Sequence, residues 1–154
     1  MATPSPDLWY NFIRAHRCLI KEIERRLAEE QLPPYDWYDA LWGIESGQDG
    51  ARRMHELADV MAIERYNLTR LVDRLEKEGL VTREKSLDDG RGAIARITDA
   101  GRGLRKQIWQ VYKQAVEELF LVEFDDDQKR LFADALENAS RNARQSRKTS
   151  QTSR

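Results

Sequence analysis

The 154-residue sequence predicts a mainly α chain with a small two-stranded β element. Three observations carry that expectation. Apolar residues recur at helical spacing through most of the chain. One central stretch, 81–97, instead holds two short strand-like runs around a turn rich in Asp and Gly. The apolar stripes at the two ends are longer than so small a centre can cover.

The elements follow in order. From Asp7 to about Glu30, Leu8, Phe12, Ile13, Leu19, Ile20, Ile23 and Leu27 form one stripe of a long first helix, which Leu32-Pro33-Pro34 ends. The second helix, about Pro34 to Ser46, is aromatic, with Tyr35, Trp37, Tyr38 and Trp42 inside eight residues. Gly47 to Gly50 reads as a loop, and Arg53 or Met54 to Met61 as a short supporting helix.

After a turn comes a helix with two incompatible faces. Ile63, Leu68, Leu71, Val72 and Leu75 must be buried, and Gly79 stops the helix before the apolar anchor Leu80. The opposite face carries Arg65, Tyr66, Asn67, Thr69, Arg70 and Arg74, crowded into the first half. Val81 to Lys85 is a strand, 87–92 a turn, and Ala93 to Ile97 a second strand. A lone hairpin is marginal in water and must pack on the helices before it. Together these make a winged helix-turn-helix, with Arg91 near the wing tip.

Thr98 is placed to cap a helix running to about Val122. Phe124 to Gln128 reads as a hydrophobic staple and capping box for a last helix carrying Leu131, Phe132, Ala135 and Leu136. From 142 to 154 the chain is polar and cationic and is expected to be disordered. The expected organisation is therefore N-terminal helices over 1–50, a winged helix-turn-helix over 51–106, C-terminal helices over 107–141 and a disordered polar tail over 142–154.

The first half of the amphipathic helix has the chemistry of a DNA reader. Arg can grip guanine with two bonds, Asn can do so with adenine, and Thr or Tyr can bond a phosphate or pack on a thymine methyl. The plain alternative is a surface helix with solvated charges, since Asp73 with Lys77 and Arg74 with Glu78 are ordinary i,i+4 pairs. Charge distribution favours DNA. The net charge is −1, but residues 1–50 hold −4, 51–106 hold +3 and 107–154 hold 0, so only the winged region is positive.

Other classes find little support. No stretch reaches the roughly 18–20 apolar residues of a membrane span, and the start lacks the pattern of a secretory signal, so a cytoplasmic protein is expected. One cysteine, Cys18, rules out an internal disulfide. His16 and His55 have no metal-ligand spacing, no Gly-rich phosphate loop precedes a helix, and no catalytic grouping is visible, so neither an enzyme, a metal site nor a cofactor is expected.

The runs RMHELADVMAIERYNLTRLVDRLEKEGLVTRE and DDGRGAIARITDAGR resemble the winged-helix core of the MarR (multiple antibiotic resistance regulator) family of bacterial transcription factors. Glu56-Leu57-Ala58, the block Thr69 to Val81, Asp89-x-Arg91 and Ile97-Thr98-x-x-Gly101 carry the likeness, and Tyr38-Asp39-Ala40-Leu41 extends it. Three positions depart from the pattern: Ala62 replaces a turn glycine, Glu64 a Ser or Thr cap, and Gly90 the first of two adjacent wing arginines.

The resemblance implies a homodimer built by the first, fifth and sixth helices, with two recognition helices in successive major grooves of a pseudo-palindromic operator. It implies a ligand-responsive repressor whose effector, often a phenolic or other aromatic anion, lies between the dimer helices and the winged helix. Trp9, His16, Trp37, Tyr38 and Trp42 are the candidate lining, with Arg14 or Arg17 to pair a carboxylate; aromatics at helical spacing can equally be core. Some relatives sense peroxide through a first-helix cysteine, and Cys18 sits among Arg14, Arg17 and Lys21, cations that favour a reactive thiolate. Two alternatives stand beside this expectation: a protein-interaction winged helix without specific DNA binding, and a redox-responsive regulator acting through Cys18.

Overall fold

The computed structural model describes residues 6–85 and 92–152. Helix α1 (Pro6–Glu29) opens on a proline, which suits a first turn because its missing N–H has no partner there. It closes where Gln31 turns left-handed (φ 59°), letting Leu32 N–H reach the Leu27 carbonyl at 2.8 Å. Helix α2 (Tyr35–Glu45) buries Ala40, Leu41 and Ile44. Its Gly43 lets the supporting helix approach, because a Cβ there would lie 2.7 Å from Leu57 Cδ1.

A 3₁₀ turn (Gln48–Gly50) leads into strand β1 (Ala51–Arg53), and helix α3 (Met54–Met61) follows. Helix α4 (Arg65–Lys77) buries Leu68, Leu71, Val72 and Leu75, the spacing expected of its apolar face. Strands β2 (Val81–Lys85) and β3 (Ala93–Ile97) run antiparallel, with Val81 opposite Ile97 and Lys85 opposite Ala93. The expected strand boundaries are met at every end.

The sheet nevertheless has three strands in the order β1-β3-β2, where two were expected. Ala51 pairs with Arg96 and Arg53 with Ile94. Three residues are too few to display an alternation, so β1 is defined by its partner alone. Arg52 fixes it further by donating to the Gly43 carbonyl at 2.6 Å.

Helix α5 (Asp99–Leu119) stops short of the expected Val122 and gives way to a 3₁₀ turn (Leu121–Glu123). Helix α6 (Asp126–Thr152) begins with the expected capping box: Asp125 N–H donates to Gln128 Oε1 at 3.0 Å and Gln128 N–H to Asp125 Oδ1 at 2.8 Å. Phe124 completes the staple by stacking on Phe132, with ring centroids 5.4 Å apart. The tail expected to be disordered is helical up to Thr152. No Gly or Pro interrupts it, and the Thr149 and Thr152 hydroxyls donate to carbonyls four residues back, at 3.1 and 3.0 Å.

The chain divides into two compact units, Met1–Ala115 and Val116–Arg154. The boundary falls inside α5, not near residues 50 and 106, because α2 shares one core with the winged region: Leu41 and Ile44 pack with Leu57, Leu75, Val81 and Ile97. Burying each such side chain contributes about 1.5–3 kcal/mol. That core is the platform from which α4 projects its polar face. No helix among the described residues is long and apolar enough to cross a membrane.

Candidate nucleic-acid interface and the adjoining cleft

The α3–α4 connection is a left-handed turn at Ala62 (φ 55°, ψ 43°), with Ile63 N–H bonded to the Ala58 carbonyl at 3.1 Å. This is where the resembled pattern has glycine, and the reason is now visible: the turn needs a positive φ whichever residue occupies it. Glu64 is the N-cap of α4 and makes no side-chain cap bond. At the other end Gly79 (φ 73°) lets Leu80 N–H reach the Leu75 carbonyl at 2.9 Å, which turns the chain into β2.

Between those turns the side chains singled out from sequence all face outward. Arg65, Tyr66, Asn67, Thr69, Arg70 and Arg74 are exposed. Arg70 is held over the Tyr66 ring, 5.6 Å from its centroid, and donates to the Tyr66 hydroxyl at 3.4 Å. The Thr69 hydroxyl donates back to the Arg65 carbonyl at 2.9 Å, which leaves its lone pairs outward. Arg91 and the rest of the wing turn lie outside the described residues. The wing strand is tied to α4 by Arg83, whose backbone N–H donates to Glu76 Oε2 at 3.0 Å and whose guanidinium bonds Glu76 and Asp73. Those bonds to Arg83 hold the Glu76 carboxyl below its usual range.

Two clefts flank this helix. One, of about 630 Å³, lies between α1, α2 and α4, with Ile20, Pro34, Tyr35, Trp37 and Ile63 as walls and His16, Glu24, Asp36, Asp39 and Arg74 as polar groups. The other, of about 490 Å³, shares Asp36, Asp39, Ile63 and Arg74 with the first and adds Asn67 and Arg70. Burial, reinforced by the Asp36 charge, pushes the Asp39 carboxyl above its usual range.

Of the residues expected to line an effector site, His16 and Trp37 do so. Tyr38 is buried instead, stacked on Trp109 with centroids 5.7 Å apart and beside Tyr112. Trp9 is 68 % exposed, next to Phe12, and Trp42 lies under the Arg105 guanidinium. Arg14 sits over the Tyr10 ring and Arg17 is exposed, so neither arginine lines either cleft in this chain. Cys18 is an exposed free thiol. Sequence reasoning missed Asp36, Asp39 and Glu24; they border the cleft from exposed or half-buried positions, which only the packing of α1, α2 and α4 side by side reveals.

A positive recognition face on the second helix of a helix-turn-helix, backed by a three-stranded wing sheet, defines a winged-helix nucleic-acid-binding protein. The model of the MarR family matches residues 32–92. The structure is similar to Sco3205, a MarR family transcriptional regulator from Streptomyces coelicolor solved in complex with DNA, at 26 % identity and a TM-score of 0.83, covering 93 % of this chain and 94 % of that one. The sequence is similar to the HTH-type transcriptional regulator MhqR of Bacillus subtilis, 23 % identical over 94 % of this chain and 97 % of that protein. CouR from Rhodococcus jostii RHA1, solved bound to p-coumaroyl-CoA, shares the fold at 21 % identity and a TM-score of 0.77, over 91 % and 96 % of the two chains. The winged region thus matches the MarR family model, and over nearly its whole length the chain is similar to MarR-type transcriptional regulators. Sco3205 and MhqR are transcriptional regulators, not enzymes.

Proposed function

We propose that the protein is a cytoplasmic, ligand-responsive repressor that binds a pseudo-palindromic operator as a homodimer. The observation that carries this is the division of α4: one face is sealed in the core, and the other offers Arg65, Asn67, Thr69, Arg70 and Arg74 to solvent. Arg65, Asn67 and Arg70 read bases in the major groove, Tyr66, Thr69 and Arg74 hold phosphates, and Arg91 serves the wing. Each compact unit carries exposed apolar side chains that a second copy would cover, Leu8 and Trp9 in the first and Val122 and Leu131 in the second. The walled cleft beside α4 is the effector site, within the size range of small-molecule pockets.

Selection of bound duplexes from a random DNA pool at low salt, followed by anisotropy across salt concentrations, tests the proposal. Enrichment of an inverted repeat, bound steeply with salt by a species of twice the 18.0 kDa chain mass, is the expected result. Sequence-blind binding by a monomer would overturn it and leave a protein-interaction winged helix as the better account.

A further inference from the structure

The cleft assigned to the effector has the wrong charge for an aromatic anion. Its walls are apolar, but Glu24, Asp36 and Asp39 outnumber the single cation Arg74, while Arg14 and Arg17 are not part of it. A carboxylate ligand entering here would be desolvated beside two aspartates on one helical turn, which costs more than one arginine returns. An ammonium group would meet the opposite situation. A metal ion fits less well: among the described residues no three His, Cys, Asp or Glu side chains are grouped as a ligand set.

Position supplies the second half of the inference. Asp36 and Asp39 also line the smaller cleft, where Asn67, Arg70 and Arg74 of the recognition face are their neighbours. Two carboxylates lining the same cleft as Arg70 and Arg74 set negative charge beside the cations that would meet DNA phosphates. We infer that this cleft takes a small organic cation with an apolar body, and that its occupancy strengthens DNA binding by neutralising Asp36 and Asp39 beside Arg70 and Arg74. Burial disfavours the charged form of Asp39, so a bound cation relieves that penalty too. By linkage, DNA must tighten cation binding by the same factor. The inference rests on the proposed regulator function for its DNA arm, whereas the charge preference of the cleft does not depend on it.

The test uses the full chain with phenethylamine and its carboxylate counterpart 3-phenylpropanoate as probes. Calorimetry without DNA scores the ligand class: phenethylamine binds and 3-phenylpropanoate does not. Asp36→Asn and Asp39→Asn each abolish or sharply weaken phenethylamine binding. Asp36 is exposed, so its variant keeps the fold even where the partly buried Asp39 variant does not. Anisotropy on the selected duplex scores the coupling: phenethylamine tightens wild-type binding, and Asp36→Asn binds about two- to fivefold tighter without ligand, the scale of one exposed charge interaction. Preference for the carboxylate, unchanged ammonium binding by both variants, or DNA release on adding phenethylamine would overturn the inference. If the wild-type chain binds no DNA at all, the regulator function and the coupling fail together, while calorimetry still decides which charge the cleft accepts.

Discussion

Gly101 lies against the backbone of Leu80 so closely that a Cβ on Gly101 would sit 2.2 Å from the Leu80 carbonyl oxygen. Thr98 organises this contact. Its N–H donates to that same carbonyl at 3.1 Å, its hydroxyl donates to the Gly79 carbonyl at 2.7 Å, and its oxygen accepts from Gly101 N–H at 3.1 Å. The Thr98-x-x-Gly101 spacing thus joins the start of α5 to the end of α4 through the Thr98 hydroxyl and the backbone of Gly79, Leu80 and Gly101.

Because backbone cannot yield as a flexible side chain can, Gly101→Ala should destabilise the protein by about 2–3 kcal/mol or more, the range of overpacked cores. Gly103, two residues on, faces open space within the same helix. There, Gly103→Ala should stabilise by about 0.5–1 kcal/mol. Urea denaturation of both variants checks the pair; equal effects would mean the Leu80 contact does not govern position 101.

Ala62 holds a backbone conformation that favours glycine. Relief of a left-handed non-glycine residue is worth about 1–2 kcal/mol, and the greater freedom of glycine in the unfolded chain offsets part of it. Ala62→Gly should therefore raise stability by about 0.5–1 kcal/mol, read as a higher denaturation midpoint with an unchanged slope.

The N-cap of α4 can be improved in the same way. Glu64 makes no cap bond, whereas a Ser hydroxyl at that position can accept from a first-turn N–H. Glu64→Ser should add about 0.5–1 kcal/mol to stability, and it also removes a negative charge beside the DNA-facing helix. Thermal unfolding measures the first effect, and DNA affinity at low salt the second.

Two carboxylates should respond to acid in opposite senses. Glu76 has a folded pKa depressed by its hydrogen bonds from Arg83, so its contribution is present above the ordinary value near 4.5 and is lost as pH falls through the depressed one. Asp39 has a folded pKa raised by burial, so its contribution is present below the ordinary value near 3.8 and is lost as pH rises through the raised one. Stability against pH should consequently flatten at the acid end in Glu76→Gln, whereas Asp39→Asn should gain on wild type at neutral pH. Denaturant titrations from pH 3 to pH 7 distinguish the two.

For the DNA face, Arg70→Ala should cost about 1–3 kcal/mol of binding and relax specificity at one position. Arg74→Ala should weaken all sequences alike and lower the salt slope by about one. Anisotropy on the selected duplex and on a shuffled one separates these outcomes, and unchanged affinity in both variants would remove α4 as the reader.

The winged core was legible because its signals are local. Leu68, Leu71, Val72 and Leu75 declare a buried face within two turns, and Val81 to Lys85 is bounded by Gly79 on one side and turn formers on the other. β1 was not legible, since Ala51–Arg53 is a strand only by virtue of β3. The helical tail was misjudged from composition: polarity argues against burial, but without Gly or Pro it does not stop a helix already started by Asp125 and Gln128. The cleft beside α4 was half legible. Aromatic identity drew attention to Trp9 and Trp42, whereas residue type says nothing about which side of α2 meets α4, so Asp36 and Asp39 carried no signal of the cleft.

The strand order β1-β3-β2 also sets a timetable for synthesis. β3 is the middle strand, yet it is made last, so Ala51 waits for Arg96 and β2 for the same strand. While the chain emerges from the ribosome, α4 is complete long before the sheet beneath it can close. A nascent chain halted before Ala93 therefore carries every residue of α4 but lacks the middle strand of the sheet and the Ala95 and Ile97 side chains of the core. The sheet that backs the winged core therefore closes in one step, when β3 emerges, and not gradually as α4 lengthens.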